Sequence, residues 1–136
     1  MLVSIIIVNY NGKPYLDKCI KSLIKLDFPK KEYEIIVVDN NSPDESWKIA
    51  EKYKQVKLIK SKENTGFSGG NNIGFNASKG KYIALLNNDA EVNNSWLNEL
   101  LKPFKENDIG ATTSIVYYGK NLKKYNIPWF SGSKIY

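Results

Sequence analysis

Histidine and arginine are both missing from these 136 residues, and there is a single cysteine. Without histidine there is no imidazole general base and no imidazole metal ligand. With only one thiol besides, a zinc site has no ligand set. One cysteine also excludes an internal disulfide framework and fits a reducing compartment. Cys19 falls on the apolar face of a predicted helix and is expected in the core, where free cysteine is commonly found. The 20 basic residues are all lysines, so the forked donor that reads guanine and phosphate in two-toothed fashion is absent. The lysines are scattered, and the net charge of +6 reads as a solvated basic surface with no nucleic-acid partner. No apolar run approaches the roughly 18 residues that cross a bilayer. No basic segment precedes the apolar residues 2–8, which read as a strand and not as a signal peptide.

What is present suits one soluble globular domain over 1–136, with 42% hydrophobic and 25% charged residues. Residues 3–8 and 35–38 are β-branched runs expected to be fully buried strands. Residues 56–59 form a shorter third strand, 82–86 a fourth buried strand, and 109–118 a fifth. Between them lie helices. Leu16, Cys19, Ile20, Leu23 and Ile24 recur at helical spacing. Ser42, Pro43 and Glu45 read as a capping box opening a helix that runs to about Lys54. A glycine-rich loop over 63–72 leads into a helix stopped near Gly80. Trp96, Leu97, Leu100, Leu101 and Phe104 mark another amphipathic helix. Alternating strands and helices predict an α/β protein, a three-layer sandwich with a mostly parallel central sheet.

Three of these strands end abruptly in polar residues: at Asn9-Tyr10-Asn11, at Asp39-Asn40-Asn41 and at Asn87-Asn88-Asp89. In a parallel sheet those clusters share one edge, the edge beyond the carboxyl ends where ligands bind. The glycine-rich loop enters from the same side, where its N–H groups can approach an anion. Neither G-x-G-x-x-G after the first strand nor G-x-x-x-x-G-K-[ST] occurs, so the dinucleotide and P-loop patterns are excluded. A nucleotide would then rest on Tyr10, stacking on a base, on Asp39, accepting from a base N–H, and on Asp89, holding Mg²⁺ or Mn²⁺. Each has a blander reading: Tyr10 as a packing residue, Asp39 as a turn or cap residue, Asp89 as part of a turn.

Taken in order, V-S-I-I-I-V-N-Y-N-G, I-I-V-V-D-N-N-S, N-T-G-F-S-G-G-N-N-I-G and Y-I-A-L-L-N-N-D-A resemble a family 2 glycosyltransferase of the GT-A fold, nearest the rhamnosyltransferase-like members. The resemblance covers residues 3 to about 118. It implies transfer of a sugar from a UDP- or dTDP-sugar to a hydroxyl on a glycan or lipid-linked acceptor, metal-dependent and inverting, in polysaccharide biosynthesis at the cell envelope. It implies that Val8, Asn9 and Tyr10 line the nucleobase and that Asp39, with Asn41 beside it, reads the base edge. Asn64, Gly66, Asn71 and Asn72 line the nucleotide-sugar pocket, Asn87 and Asn88 flank it, and Asp89 is the metal ligand. The first acidic position of the D-x-D-type motif is Asn87 here, leaving Asp89 as the one carboxylate. Relatives often carry Arg or Lys where Asn71 stands.

Residues 119–136 contain no acid, so the general base the family uses is expected beyond Tyr136, in a fold truncated at its C-terminal side. Two other readings follow: a nucleotide-sugar-binding fragment without catalysis, and a sugar-nucleotide nucleotidyltransferase, which the lack of a Gly- and Arg-rich loop after the first strand disfavours. A cytoplasmic location, at the inner face of the membrane by peripheral association, is expected. So is self-association through 109–118.

Overall fold

The computed structural model describes residues 1–106 and 108–117, and the backbone of 128–130. Two compact units divide the chain, one over Met1–Asn94 and one over Ser95–Tyr136.

In the first unit β1 (Val3–Asn9), β2 (Tyr33–Asp39), β3 (Val56–Lys60) and β4 (Tyr82–Asn87) form one parallel sheet in the order β3-β2-β1-β4. β1 and β2 hold the middle, and Ile5, Ile6, Ile7, Ile36, Val37 and Val38 are sealed from solvent. A strand covered on both faces has no wet side to alternate with, so both read in sequence as unbroken apolar runs. α1 (Leu16–Ile24) turns Leu16, Cys19, Ile20 and Leu23 inward. α2 (Trp47–Glu51) is a short helix tied to α1 by the Tyr53 hydroxyl, which donates to Asp17 at 2.6 Å.

Connection handedness sets the layers. The steps from β1 to β2 to β3 run in one direction across the sheet. Right-handed crossovers therefore put α1 and α2 on one face. α3 (Gly66–Asn76) carries the chain back past β1 to β4 and lies on the other. The chain thus leaves β1 on one face and reaches β4 from the opposite one. The carboxyl ends of β1 and β4 flank a topological switch point, where open α/β sheets bind ligands. α3 approaches the sheet through its glycines: a Cβ at Gly74 would stand 2.5 Å from Ile6 Cγ2, and one at Gly70 2.6 Å from Val8 Cγ1.

The second unit contains α4 (Trp96–Leu101), a 3₁₀ turn at Pro103–Lys105, and β5 (Val116–Tyr117) paired antiparallel with β6 (Pro128–Phe130). Among the described residues no helix is long and apolar enough to cross a membrane.

The structure departs from the sequence-based expectations at five places. The glycine-rich segment is mostly helix: α3 already begins at Gly66, and Gly70 and Gly74 serve close packing on β1. The expected capping box does not form. Glu45 has a left-handed backbone (φ 57°), the helix starts only at Trp47, and the Ser42 hydroxyl turns inward. β4 is no buried strand: β1 is its one pairing partner among the described residues, and Leu85 is 53% exposed. Of the expected fifth strand over 109–118, residues 109–115 have no regular structure, and Val116 and Tyr117 pair outside the main sheet. Tyr118 lies outside the described residues. β-propensity records how well a side chain suits a paired, half-buried surface, and Ile109, Ile115 and Val116 are all exposed. Finally, α4 stops at Leu101, and Phe104 sits in the 3₁₀ turn that Pro103 opens.

The close seat of α3 gives a direct test. Alanine in place of a helical glycine normally gains roughly 1 kcal/mol of helix propensity. At Gly74 the added methyl meets Ile6, and overpacking costs about 1–3 kcal/mol. Gly74→Ala is expected to lower the urea midpoint at unchanged slope, while Asn76→Ala, on the exposed side of the same helix, leaves it in place. A Gly74→Ala chain more stable than the parent, as helix propensity alone would make it, would mean that α3 does not rest on β1 in this way.

Candidate functional site

Sheet register brings three of the polar clusters together. Asn9 pairs with Asp39, and Val8 with Asn87, so the ends of β2, β1 and β4 stand level. Asn9 is completely buried, and its amide joins the three strand ends. Nδ2 lies 2.9 Å from Asp39 Oδ1, 2.7 Å from Ser46 Oγ and 3.2 Å from Ser42 Oγ, sharing two hydrogens among three acceptors. Oδ1 accepts from Asn88 Nδ2 at 3.1 Å.

Asp39 is 2% exposed. Its second oxygen accepts from the Ser42 backbone N–H at 3.0 Å. One lone pair on each oxygen is thus committed within the chain, leaving each with one more. Asn40, also buried, anchors the segment entering α3. Its Nδ2 donates to Asn64 Oδ1 (2.8 Å) and to the Gly66 carbonyl (3.0 Å), and its Oδ1 accepts from the Thr65 N–H (3.0 Å) and hydroxyl (3.1 Å). Gly66 takes a left-handed φ of 72°, a conformation glycine adopts without steric cost. Thr65 makes no side-chain cap to the α3 amino end.

Around this buried frame stand exposed side chains. Tyr10 follows β1 directly and is 45% exposed. Asn11 and Asn41 have left-handed backbones (φ 54° and 62°), a costly conformation that concentrates at functional loops. The Asn11 N–H donates to Ser42 Oγ and the Lys13 N–H to Asp44. Burial works against the Asp44 charge, but bonds from Ser46 and Lys13 and the Lys13 charge hold its carboxyl below the usual range. Asn87 is exposed and its carbonyl accepts from the Cys19 thiol at 3.6 Å. Burial pushes that thiol up to about 12, and the negative charges of Asp89 and Glu91 add to the shift. Cys19 is a neutral core residue, as expected.

Asp89 is exposed on the turn after β4 and makes no hydrogen bond or ion pair among the described residues. No group of three or more His, Cys, Asp and Glu that could hold a metal stands together among those residues. The donor set is a single hard carboxylate, that of Asp89. That fits Mg²⁺ or Mn²⁺ shared with a phosphate-bearing ligand, the usual way such ions are held with few protein ligands.

Val8, Asn9, Tyr10, Asp39, Asn41, Asn87, Asn88 and Asp89 thus gather at one sheet edge, and Asn40 joins Asn64 and Gly66 to them. Asn71 and Asn72 lie farther along α3, and Asn71 bonds the Phe67 carbonyl of its own helix. From the sequence, Asn40 was read only as part of the polar cluster after β2, Ser42 only as a helix cap, and Ser46 not at all. A buried asparagine and a turn asparagine look alike in D-N-N-S, and Ser42 carried a stronger capping signal.

Comparison with known proteins agrees with this fold. Residues 4–135 match the family described as Glycosyl transferase family 2. Poly(ribitol-phosphate) beta-N-acetylglucosaminyltransferase TarS of Staphylococcus aureus is 32% identical over 73% of this chain and 18% of its own length. The uncharacterized glycosyltransferase EpsJ of Bacillus subtilis is 33% identical over 93% of this chain and 37% of its own. A crystal structure of S. aureus TarS 1–349 with UDP-GlcNAc superposes with a TM-score of 0.72 at 26% identity, over 85% of this chain and 38% of that one. A mannosyltransferase from Pyrobaculum calidifontis, in complex with GDP-Man and Mn²⁺, reaches 0.74 at 22% identity over 79% of this chain and 33% of that one, which shows the shared fold. The chain therefore spans about a fifth to two fifths of the length of these relatives.

The bonding of Asp39 predicts a stability effect. Asp39→Asn puts an amide where two N–H donors converge, so its own NH2 faces a donor and is buried without an acceptor. A loss of about 1–3 kcal/mol, the cost of an unsatisfied buried polar group, is expected in urea unfolding. An Asp39→Asn chain with the parent's midpoint would show that the carboxylate does not hold the strand ends. By its motifs, its four-stranded parallel sheet and its match over residues 4–135, the chain belongs to glycosyl transferase family 2.

Proposed function

We propose that this chain is the donor-binding part of a glycosyltransferase that takes a UDP- or dTDP-sugar with Mg²⁺ or Mn²⁺. The observation that carries the reading is the switch-point edge. Exposed Tyr10 stands at the end of β1 and Asp89, without a partner among the described residues, on the turn after β4, with the ends of β2, β1 and β4 locked together through Asn9. In this reading Tyr10 stacks on the base, with Val8 behind it under α3. Asp39 accepts the base N–H through a remaining lone pair, beside Asn41. The amino end of α3, opened by Asn64 and Gly66, faces the diphosphate with its positive dipole end. Asn71 and Asn72 serve the sugar side, and Asn87 flanks the metal.

Asp89, with its free oxygens, would hold the ion. When bound, the ion neutralises charge on the diphosphate and makes it a better leaving group. The acceptor hydroxyl then attacks the anomeric carbon, the bond from that carbon to the phosphate oxygen breaks, and inversion results. The hydroxyl proton needs a base, and residues 119–136 supply no acid for it. In this reading the 136 residues bind the donor, and the base that takes that proton is not assigned to any of them. Little or no transfer by this chain alone follows, and self-association through 109–118 remains part of the proposal.

TarS is named as a poly(ribitol-phosphate) beta-N-acetylglucosaminyltransferase, and a Bacillus spizizenii relative, 33% identical over 82% of this chain and 18% of its own length, as a poly(ribitol-phosphate) beta-glucosyltransferase. A glycan or lipid-linked acceptor in cell-envelope polymer synthesis, made at the cytoplasmic face, fits both. The L-N-N-D-A form of the β4 turn favours a rhamnosyltransferase-like donor preference, which competition between UDP- and dTDP-sugars distinguishes.

Calorimetry tests the site. UDP is expected to bind more tightly with Mn²⁺ than without. Asp89→Ala should abolish that gain while leaving urea stability within about 0.5 kcal/mol, as for an exposed residue outside the core. Equal UDP affinity with and without metal in both proteins would remove the metal from the reading. Equal affinity for UDP and ADP in the parent would remove the base recognition.

A further inference from the structure

Asn9 is fully buried and offers no surface to a nucleotide, yet its amide reaches all three strand ends. We propose that Asn9 is a positioning residue: closed by Asn88 and given room by Gly12, it fixes the Asp89 turn against the Tyr10 loop. The inference rests on the nucleotide–metal reading of the site.

The bond from Asn88 Nδ2 to Asn9 Oδ1, 3.1 Å long, spans the switch point from β4 to β1. Asn88 directly precedes Asp89, and Asn9 directly precedes Tyr10. One hydrogen bond therefore links the backbone beside the carboxylate to the backbone beside the exposed ring. On its other side the Asn9 amide is held by Asp39, Ser42 and Ser46. The strut cannot swing without losing buried bonds, and a buried polar group left unpaired is costly.

Gly12 is the second observation. A Cβ there would lie 2.0 Å from Asn9 Oδ1 and 2.6 Å from Asn88 Nδ2, on the bond itself. Gly12 is not among the residues with positive φ, so its backbone does not call for glycine. What the position requires is space. Any side chain at residue 12 must displace one end of the strut.

The consequence is a coupling. A nucleoside diphosphate grips the Tyr10 loop with its base and the Asp89 turn with its phosphates and metal, across one fixed span. Metal and base then reinforce each other only while the two loops keep that span, and such reinforcement is a coupling free energy between sites. If the strut opens, the Asp89 turn is free to move relative to the Tyr10 loop, and metal binding no longer helps base binding.

The test is the ratio of the UDP dissociation constants without and with Mn²⁺, measured by calorimetry on the parent chain, Asn88→Ala and Gly12→Ala. Circular dichroism checks the fold, and Asn88→Ala carries the test if Gly12→Ala does not fold. A ratio of about ten in the parent, within the usual range of coupling between sites, is expected to fall to near one in both variants. A loss of stability alone would scale both constants and leave the ratio unchanged. An unchanged ratio in a folded variant overturns the strut. A ratio near one in the parent, with UDP still bound, overturns the strut and the metal role but spares nucleotide binding. No UDP binding by the parent overturns the functional reading itself.

Discussion

A primary amide buried at the end of a central strand must find partners for two hydrogens and an oxygen, because water cannot supply them there. Asn9 finds them in Asp39, Ser42 and Ser46 on one side and in Asn88 on the other. Much of the site's shape follows from that constraint. It draws Ser42 away from helix capping, delays α2 to Trp47, and sets the β4 turn beside β1. Satisfying one buried side chain has shaped three loops.

The site divides into a buried half and an exposed half. Asn9, Asp39 and Asn40 are shut away and bonded to the chain. Tyr10, Asn41, Asn87 and Asp89 are exposed and carry the stacking, polar and charged groups a ligand would meet. Asn9 and Asn40 give up direct contact and provide rigidity, while each Asp39 oxygen keeps one uncommitted lone pair. That division suits a site whose ligand supplies part of the metal's coordination, since one loosely held carboxylate cannot order an ion unaided.

Much of this was legible in the sequence. The buried runs of β1 and β2 needed no knowledge of partners, because an apolar run bounded by polar residues allows few alternatives. The gathering of Asn9, Asp39 and Asn87 followed once the sheet was taken as parallel. What misled were residues with two uses. Gly70 suits a phosphate loop as well as it suits a helix pressed on Val8, and composition does not separate the two. Ser42 and Glu45 fit a capping box that a buried amide overrode from 33 residues away. Leu85 looked like core because its neighbours in sequence are apolar, but exposure depends on what pairs beyond β4. Thr112, Thr113, Ile115 and Val116 favour a strand, and propensity without a paired surface did not extend one through 109–115.

Residue-resolved NMR with Mn²⁺ and UDP tests the central claim most directly, since the paramagnetic ion broadens nearby signals steeply with distance. The account predicts that, with UDP present, substoichiometric Mn²⁺ erases the amide signals of Asn88, Asp89 and Ala90 first. Signals of residues 10–12 and the first turn of α3 should follow, while those at the amino ends of β1 to β4 persist. Broadening centred on the opposite sheet edge, or spread evenly over the exposed carboxylates, would contradict it.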